Sequence, residues 1–503
     1  MNRKVTINRL ASGVPGLDDV LGGGIPEYSF NLISGRPGCG KTTLAHQMMF
    51  ALATSERPAL YLTVLGEPPL KMLRYQQLFD FFDSEAIDRS IRFANLSDDA
   101  IAGDLDKLLD RIVAAVKAQG PALVFVDSFR AALRATTGGD DRYRLEGFVQ
   151  KLGTLMTSWQ ATTFLIGDYT DAEASPVFTV ADGIILLRQT IYRNTTVRQV
   201  EAMKMRGQLQ LPGLHPFRIG AAGIQVFAPS RVAPEVEPDA IAVPAARLRM
   251  GDARLDEMLG GGLQRGHSLL IAGPSGSGKS ILATAFLAEG ARCGETGVIA
   301  VFEQHPHSSR DDVVAGLIAK GVVGLVDSRA ADLSFDEMVV LLLSEIRRLK
   351  ASRVVIDSLS GFEIVLASTY REDFRESLLR MVTTLKEVGV TVVMTSELED
   401  RYTDLRFSPY GTAFLTDAII VQRYIEVDSR LRRVMAVVKV RGSAHSHELR
   451  EFSISDDGIR VGETLPDHEG LLGGRPTKKR ASDARPATGK QVKTPAPSHE
   501  RNS

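Results

Sequence analysis

Short apolar runs alternate with stretches of helical pattern along the first half of the chain. The apolar runs are rich in Val, Leu, Ile and Phe and occupy residues 29–34, 59–64, 122–126 and 162–167. The helical patterns occupy residues 41–53, 104–119 and 143–159. This alternation is typical of an α/β fold, in which helices cover both faces of a mostly parallel sheet. Two closely spaced runs at 183–190 and 197–205 predict an antiparallel hairpin at the sheet edge.

The second half of the chain repeats the first half. GVPGLDDVLGGG at residues 13–24 matches GDARLDEMLGGG at residues 251–262, an offset of 238 residues. AMKMRG at 202–207 matches VVKVRG at 437–442, where the offset has fallen only to 235 residues. Self-similarity at one long offset indicates a duplicated domain rather than an array of short repeats. The sequence therefore predicts two tandem α/β domains, each ending in a β-hairpin.

A proline-rich segment separates the two copies, and a basic segment follows the second. Residues 226–248 contain four prolines and few periodic apolar positions, a composition typical of an extended linker. From Arg475 onward the chain carries eight Lys or Arg against two acids and has no aromatic residue, which predicts disorder. We expect a first domain at 1–228, a linker at 229–246, a second domain at 247–465 and a basic disordered tail at 466–503.

Composition and charge narrow the class of protein. A chain of 503 residues is too long for one ordinary core, which agrees with two domains. The net charge of −1 argues against a chain built to coat nucleic acid or an anionic membrane. Two cysteines, Cys39 and Cys293, do not make a disulfide framework. The sequence has neither a signal-peptide pattern nor an apolar run of membrane-spanning length, so we expect a soluble cytoplasmic protein without membrane contact.

The pattern G-x-x-x-x-G-K-[ST] occurs twice, at residues 35–42 and 273–280, each time between an apolar run and a helical pattern. Glycines let the backbone curl so that successive N–H groups point at phosphate oxygens, and the helix N-terminus adds a partial positive charge. The two loops therefore predict two ATP sites, in which Lys41 and Lys279 reach the β- and γ-phosphates and assist catalysis. The expected ATP-binding residues are Gly35, Gly38, Gly40, Lys41, Thr42, Thr43, Gly273, Gly276, Gly278, Lys279 and Ser280.

Magnesium ligands are predicted from the same loops and from two aspartates. Thr42 and Ser280 each offer a hydroxyl to Mg²⁺ directly after the loop lysine. Asp127 and Asp357 each end an apolar run and are each followed by serine. A carboxylate beside the phosphate loop holds Mg²⁺ or its water in sites of this kind. Each copy is therefore expected to supply one hydroxyl and one carboxylate to the metal.

Hydrolysis also needs a group that orients or deprotonates the attacking water. The strand after the phosphate-loop helix is the expected source of that group. In the second copy this strand ends in VIAVFEQHP, which supplies Glu303. In the first copy it ends in LYLTVLGEPP, which supplies Glu67, but matching Pro68 with Pro306 places Leu65 opposite Glu303. Glu303 is the predicted base of the second copy, and Glu67 is a shifted candidate in the first.

A Lys-x-Arg pair lies near the end of each copy. Lys204 and Arg206 are two residues apart on a predicted strand, so both side chains leave the same face, and Lys439 and Arg441 repeat the arrangement. Two cations on one face need solvent or an anion, and the nucleotide phosphate of a neighbouring subunit is one such anion. We interpret the pairs as catalytic cations supplied across a subunit interface. A plain solvated edge is the alternative.

These motifs together resemble the KaiC family of RecA-like ATPases. The shared features are GxxGLDxxLGGG, the phosphate loop, the strand-end Asp-Ser and the Lys-x-Arg-Gly, and they extend to about residue 465. The resemblance implies a RecA-like P-loop fold in each domain and a homohexameric double ring with ATP and Mg²⁺ at the subunit interfaces. It also implies that the cations at 204, 206, 439 and 441 reach the neighbour's nucleotide.

The chain departs from the family at residues that the family uses for catalysis and autophosphorylation. Of the family's Glu-Glu pair, the second copy keeps only the first acid, Glu303. Where clock members of the family carry adjacent Ser and Thr acceptors, this chain has Ala413 and Phe414, with Thr412 and Ser408 nearby. Two functions therefore stay open. One is an ATP-hydrolysing ring that regulates protein partners, with weak Ser/Thr autokinase activity undecided. The other is a DNA-dependent, RecA- or helicase-like ATPase.

Overall fold

A computed structural model describes residues 7–64, 69–96, 105–127, 141–168, 177–192, 195–229, 246–302, 312–327, 333–366, 374–398, 415–455, 458–466, 468–469 and 477–478. The chain divides into two compact units, each built around one nine-stranded sheet. The two tandem, mostly parallel α/β folds predicted from the sequence are thereby confirmed. Among the helices that the structure describes, none is both long enough and apolar enough to cross a membrane.

The first sheet contains nine of the eleven strands of the first unit. The strands are β1 Arg9–Leu10, β2 Ile25–Pro26, β3 Phe30–Gly35, β4 Ala59–Thr63, β5 Ile91–Asn95, β6 Leu123–Asp127, β7 Thr162–Gly167, β8 Gly183–Tyr192, β9 Thr195–Met205, β10 His215–Gly220 and β11 Gly223–Val226. The spatial order is β11-β10-β9-β8-β3-β7-β6-β4-β5, and β1 pairs separately with β2. In this order, parallel pairings join β8, β3, β7, β6, β4 and β5. Antiparallel pairings join β8, β9, β10 and β11.

The second sheet has the same arrangement. Its unit contains β12 Arg247–Leu248, β13 Leu263–Gln264, β14 Ser268–Gly273, β15 Gly297–Val301, β16 Val323–Asp327, β17 Arg353–Asp357, β18 Thr391–Glu397, β19 Ala418–Val427, β20 Arg430–Val440, β21 Arg450–Ser455 and β22 Gly458–Thr464. The spatial order is β16-β15-β17-β18-β14-β19-β20-β21-β22. Farther along, β23 His468–Glu469 pairs with β24 Thr477–Lys478 inside the segment predicted to be a tail. Disorder of the remaining tail stays a prediction.

Helices connect the parallel strands in both copies. In the first copy they are α1 Leu17–Leu21, α2 Lys41–Leu52, α3 Pro69–Gln76, α4 Leu105–Gln119, α5 Asp141–Ser158 and α6 Val177–Val180. In the second copy they are α7 Ala253–Met258, α8 Lys279–Arg292, α9 Asp312–Ala319, α10 Phe335–Leu349, α11 Leu359–Val365 and α12 Phe374–Glu387. The helices and strands predicted in the first copy agree with these bounds to within about two residues, as expected where hydrophobic periodicity is strong.

The predicted hairpin exists in each copy but does not form the sheet edge. In the first sheet β8 and β9 pair antiparallel over residues 183–192 and 195–205. Two further strands, β10 and β11, extend the sheet beyond β9 and provide the true edge. Both are short, and the alternation of buried and exposed positions in β11 is brief, so their sequence pattern is weak.

Apolar residues of the central strands alternate between two packed faces. In the first sheet Ile33 belongs to a buried cluster with Met48 of α2, whereas the preceding Leu32 belongs to a cluster with Leu152 of α5. Helices therefore cover both faces, and the central strands read as near-continuous apolar runs rather than as an alternating pattern. This burial on both faces holds the strand ends, and the groups that follow them, in fixed positions.

Arg353 is a buried cation at the start of β17. Its side chain is only 2% exposed and donates to Glu295 Oε2 at 2.7 Å. Its other donors reach the carbonyl oxygens of Arg249 and Phe286 at 2.9 and 2.8 Å. Gly290 makes room for it, because a Cβ there would lie 2.5 Å from Arg353 Cδ. A buried guanidinium with this many partners is costly to disrupt, because its removal leaves several buried acceptors unpaired.

We predict that Arg353→Ala destabilises the second copy by about 3 kcal/mol or more, because it breaks a buried ion pair. Arg265→Ala is the matched control, since Arg265 donates to the same Glu295 at 2.6 Å from an exposed position and should cost less than about 1 kcal/mol. The free energy of unfolding of each variant is measured in urea, with hydrogen–deuterium exchange in peptides of β17 and α8 as the readout of unfolding. Equal losses in the two variants would contradict the prediction.

Candidate nucleotide-binding sites

Each phosphate loop ends in a glycine that caps the following helix. Gly40 has φ 104° before α2, and Gly278 has φ 102° before α8, both in the left-handed region. A Cβ at Gly40 would lie 2.9 Å from Ile219 Cδ1, and one at Gly278 would lie 2.6 Å from Ile454 Cδ1. The left-handed backbone conformation therefore favours glycine here, and the close packing adds to that preference. The N–H groups of the first turn have no carbonyl partner within their own helix, which makes each helix start suited to an anion.

The loop lysines bond to their own loops. Lys41 Nζ donates to the carbonyl oxygens of Gly35 and Arg36 at 2.8 and 3.0 Å, and it lies 2.5 Å from Asp168 Oδ1. Lys279 Nζ donates to the carbonyl oxygen of Pro274 at 2.8 Å. A lysine that binds the γ-phosphate must exchange some of these partners for phosphate oxygens. Each ammonium group therefore already lies against its own phosphate loop.

The first copy brings its two predicted metal ligands together. Thr42 Oγ1 donates to Asp127 Oδ2 at 3.0 Å, and the Tyr61 hydroxyl donates to the same oxygen at 2.7 Å. Burial raises the pKa of Asp127, while the bonds from Tyr61 and Thr42 oppose that rise. Burial and the charge of Asp127 raise the pKa of Tyr61 well above its ordinary value, so Tyr61 stays a donor. Tyr61 was not identified from the sequence, because a tyrosine within an apolar strand looks like any core residue.

His46 packs beside this group but does not bond to it. Its ring meets the Tyr61 ring edge-on, with centroids 4.6 Å apart. Neither ring nitrogen of His46 has a hydrogen-bond partner among the described residues. Burial lowers the pKa of His46 to about 3, so the imidazole is neutral at physiological pH. His46 therefore contributes packing, and no positive charge, to the floor of the first site.

In the second copy the strand-end carboxylate is Asp357, and its hydrogen bond comes from the neighbouring strand on the other side. Thr395 on β18 donates its hydroxyl to Asp357 Oδ1. In the first sheet Asp127 of β6 pairs with Ile166 of β7. The matching register of β17 and β18 makes Ile166 the counterpart of Thr395. Conversely, β15 carries Ile299 at the place of Tyr61, because Val301 pairs with Asp357 as Thr63 pairs with Asp127. Equivalent carboxylates are thus oriented by hydroxyls on opposite neighbouring strands.

Ser280 and the general-base candidates complete the account of the predicted site residues. Ser280 is the second residue of α8, and its side chain is exposed. Glu67 and Glu303 lie outside the described residues, as do Thr412 and Ser408. The strand register equates residue 63 with residue 301, so counting along the chain makes Leu65, and not Glu67, the counterpart of Glu303. The roles of Glu67 and Glu303 stay predictions.

The predicted cation pairs each gather around one aspartate. Lys204 Nζ lies 3.3 Å from the carbonyl oxygen of Thr179, and Arg206 Nη1 donates to Asp182 Oδ1 at 3.0 Å. Burial and the charge of Arg206 lower the pKa of Lys204. The Arg206 side chain is 62% exposed, so its charged head is on the surface of the described chain. Asp182 also accepts from the Phe30 N–H at 3.0 Å and so ties the pair to the phosphate-loop strand.

The second copy repeats this cluster around Asp417. Lys439 Nζ donates to the carbonyl oxygen of Thr416 at 2.7 Å, and Arg441 Nη1 lies 3.6 Å from Asp417 Oδ1. Lys386 adds a bond to Asp417 at 2.7 Å. Burial opposes ionisation of Asp417, but the bonds from Lys386 and Ser268 prevail and lower its pKa. The repeated VADGI and TDAII sequences carry both aspartates, so a comparison of the copies could have identified them.

Comparison with known proteins agrees with the fold and the loops. The KaiC ATPase family matches the chain at residues 10–231 and again at 249–465. The circadian clock oscillator protein KaiC of Picosynechococcus sp. is 26% identical over 94% of this chain and 93% of its own length. The corresponding protein of Rippkaea orientalis is 27% identical over 94% of this chain and 92% of its own length. The chain is therefore a member of the KaiC family, with two tandem RecA-like ATPase domains.

Proposed function

We propose that this protein is an ATP-hydrolysing ring that binds Mg·ATP at both phosphate loops and regulates protein partners. The observation that carries the proposal is the 3.0 Å contact of Thr42 with Asp127 beneath a glycine-capped helix. A hydroxyl and a carboxylate beside a phosphate loop form the metal half of a P-loop site. The regulatory role is supported by the relatives, which are named as circadian clock oscillator proteins.

The donor set fits magnesium. Mg²⁺ prefers oxygen ligands, keeps several waters and is bound through one or two protein groups together with substrate phosphates. Thr42 with Asp127, and Ser280 with Asp357, would hold it in the two sites. When bound, the ion neutralises charge on the β- and γ-phosphate oxygens. The hydroxyl of Tyr61 or Thr395 donates to one oxygen of each carboxylate and limits its rotation.

The remaining steps are carried by side chains of the chain. Lys41 and Lys279 move from loop carbonyls to the β- and γ-phosphates and stabilise the charge that develops on the leaving group. In the second copy Glu303 orients and deprotonates the attacking water. In the first copy the sequence offers Glu67 for this role, two residues beyond the counterpart position. Hydrolysis at the second site is therefore the better supported of the two.

The cation pairs support assembly into a homohexamer with ATP at the subunit interfaces. Arg206 and Arg441 expose most of their side chains, and Lys204 and Lys439 have pKa values lowered by burial and by the adjacent arginine. Paired cations of this kind are stabilised by an anion, and a neighbour's γ-phosphate supplies one. ATP would then bridge subunits and stabilise the ring by mass action.

Autokinase activity, if present, is expected to be weak. Ala413 and Phe414 cannot accept a phosphoryl group, and the nearest hydroxyls are those of Thr412 and Ser408. A neighbouring residue on a strand faces the opposite side, so it does not simply replace the missing acceptor. Water is therefore expected to take the γ-phosphoryl group in most turnovers. Faster turnover when single-stranded DNA is added would instead support the DNA-dependent alternative.

We predict that Lys41→Ala and Lys279→Ala each remove one of two bound ATP molecules per chain, because each lysine serves one loop. Equilibrium dialysis with Mg²⁺ and labelled ATP measures the stoichiometry, and the intact mass of the same samples reports any phosphoryl transfer to the chain. Lys151→Ala, which changes an exposed lysine of α5, is the control. Two bound ATP molecules in either loop variant would remove the claim for that site.

We predict that Arg206→Ala and Arg441→Ala lower ATP turnover by about 100-fold or more while ATP affinity stays near normal, since a finger in trans acts on the transition state. Arg188→Ala is the matched control, because Arg188 is an exposed arginine of the same hairpin that pairs with Glu201. Light scattering with and without ATP reports the ring. Full activity of a monomer, or unchanged turnover in both variants, would defeat the interface assignment.

We predict that Tyr61→Phe raises the Mg²⁺ concentration needed for half-maximal ATP binding at the first site by about tenfold, because outer-shell partners orient metal ligands. Binding is titrated with Mg²⁺ in a chain that also carries Lys279→Ala, so that only the first site binds. Tyr28→Phe, at an exposed tyrosine, is the control. Superimposable Mg²⁺ titrations for Tyr61→Phe and its parent would show that Asp127 does not depend on this bond.

A further inference from the structure

Asp168 is a carboxylate at the phosphate end of the first site that no motif identified. It directly follows β7, which lies between the phosphate-loop strand β3 and the Asp127 strand β6. All three strands are parallel, so their carboxyl ends meet at one edge of the sheet. Asp168 Oδ1 is 2.5 Å from Lys41 Nζ, and its side chain is 28% exposed. The carboxylate is thus open to solvent and in contact with the residue that reaches the γ-phosphate.

The charge of Asp168 reaches the rest of the site. It adds to the effect of burial in raising the pKa of Asp127 and that of the Cys39 thiol inside the phosphate loop. Both effects require the carboxylate to lie near the metal-binding group and near the loop. Asp168 therefore lies at the same end of the site as the loop lysine and the predicted metal ligand Asp127.

The first copy lacks an acid at the place where the second copy has Glu303. The strand register makes Leu65 the counterpart of Glu303, and a leucine side chain can neither hold nor accept a proton. Asp168 has an acidic counterpart of its own, Glu397, at the end of β18. The first site therefore has an acid after β7 but lacks one at the counterpart of Glu303, which follows β4 two strands away.

We propose that Asp168 is the general base of the first site and takes a proton from the water that attacks the γ-phosphorus of ATP. The inference rests on the proposed ATP hydrolysis at that site. In this structure Lys41 forms an ion pair with Asp168. When Lys41 turns to the phosphates of bound ATP, this ion pair breaks and the carboxylate is released. The freed carboxylate is then able to accept a proton from the attacking water.

The step balances without another reactant. The water oxygen forms a bond to the γ-phosphorus, and the bond from that phosphorus to the bridging oxygen breaks. The bridging oxygen keeps the electron pair and leaves as part of ADP. The proton of the water passes to Asp168 and from there to bulk solvent, which restores the carboxylate and leaves inorganic phosphate.

The test isolates the first site in the full chain that carries Glu303→Gln. In that background we compare Asp168→Asn, Asp168→Glu and Glu67→Gln, with Asp106→Asn as a control at an exposed acid. Lys41→Ala in the same background sets the zero for first-site turnover. We expect Asp168→Asn to slow single-turnover ATP hydrolysis by about 100-fold, the usual range for loss of a general base. Asp168→Glu should keep a measurable part of the rate.

ATP binding is the second readout and separates catalysis from folding. Two ATP molecules per chain should still bind to Asp168→Asn, with equal or tighter affinity at the first site, because Lys41 loses a competing partner. Tighter binding with unchanged hydrolysis would overturn the proposal and leave Asp168 as a partner of Lys41 only. A loss of hydrolysis in Glu67→Gln but not in Asp168→Asn would also overturn it.

Failure of the proposed ATP binding or hydrolysis at the first site would give different results from failure of the Asp168 assignment. If the parent chain and its Lys41→Ala derivative bind the same number of ATP molecules, the first site does not bind nucleotide and the proposed function is wrong there. If the parent with Glu303→Gln binds two ATP molecules but hydrolyses no faster than its Lys41→Ala derivative, the first site only binds, and the assignment of a base falls with it.

Discussion

The common carboxyl edge of adjacent parallel strands is the constraint on which both sites depend. In the first sheet β7 lies between β3 and β6, so the phosphate loop, Asp168 and Asp127 all follow strand ends at one edge. Parallel pairing needs crossover helices, and those helices bury both faces of the strands. The strand ends are then held by a packed core, and a few tenths of an ångström separate a working metal ligand from a displaced one.

Burial of charge at that edge sets the chemistry of the two sites. A desolvated carboxylate is unstable as an anion unless it is hydrogen-bonded or bound to a cation. Asp127 is stabilised by the hydroxyls of Tyr61 and Thr42, whereas Asp357 is stabilised by Thr395 from the opposite strand. The duplicated fold has therefore kept the predicted metal-binding carboxylate and changed the hydroxyl groups that bond to it. Two copies with the same loop motif can differ in metal affinity and in their source of a general base.

The two copies also differ at positions away from the phosphate loops. Arg353 enters the core at the start of β17, where the first copy has Leu123 at the start of β6. The buried arginine is satisfied by Glu295 and by two carbonyl groups, and Gly290 leaves space for it. By contrast, the aspartates that hold the cation pairs, Asp182 and Asp417, occur in both copies and also bond to the phosphate-loop strand. The bond between the phosphate-loop strand and the aspartate before the hairpin is thus repeated, whereas the buried arginine is not.

Several features could be predicted from the amino-acid sequence alone: the duplication, the α/β class, the strands that carry the phosphate loops and the pairing of each loop with a strand-end aspartate. Those features depend on local periodicity and on glycine, lysine and hydroxyl residues at fixed spacing, which are readable without three-dimensional contacts. Three features became apparent only from the three-dimensional contacts: the hairpin lies inside the sheet, Tyr61 and Thr395 orient the aspartates, and Asp168 pairs with Lys41. The partners in those contacts are separated by 66, 38 and 127 residues along the chain, and one polar residue within or after an apolar strand has no pattern that marks its partner. Strand order and register alone bring such residues together, because they arise from packing of the whole sheet and not from any local stretch of chain.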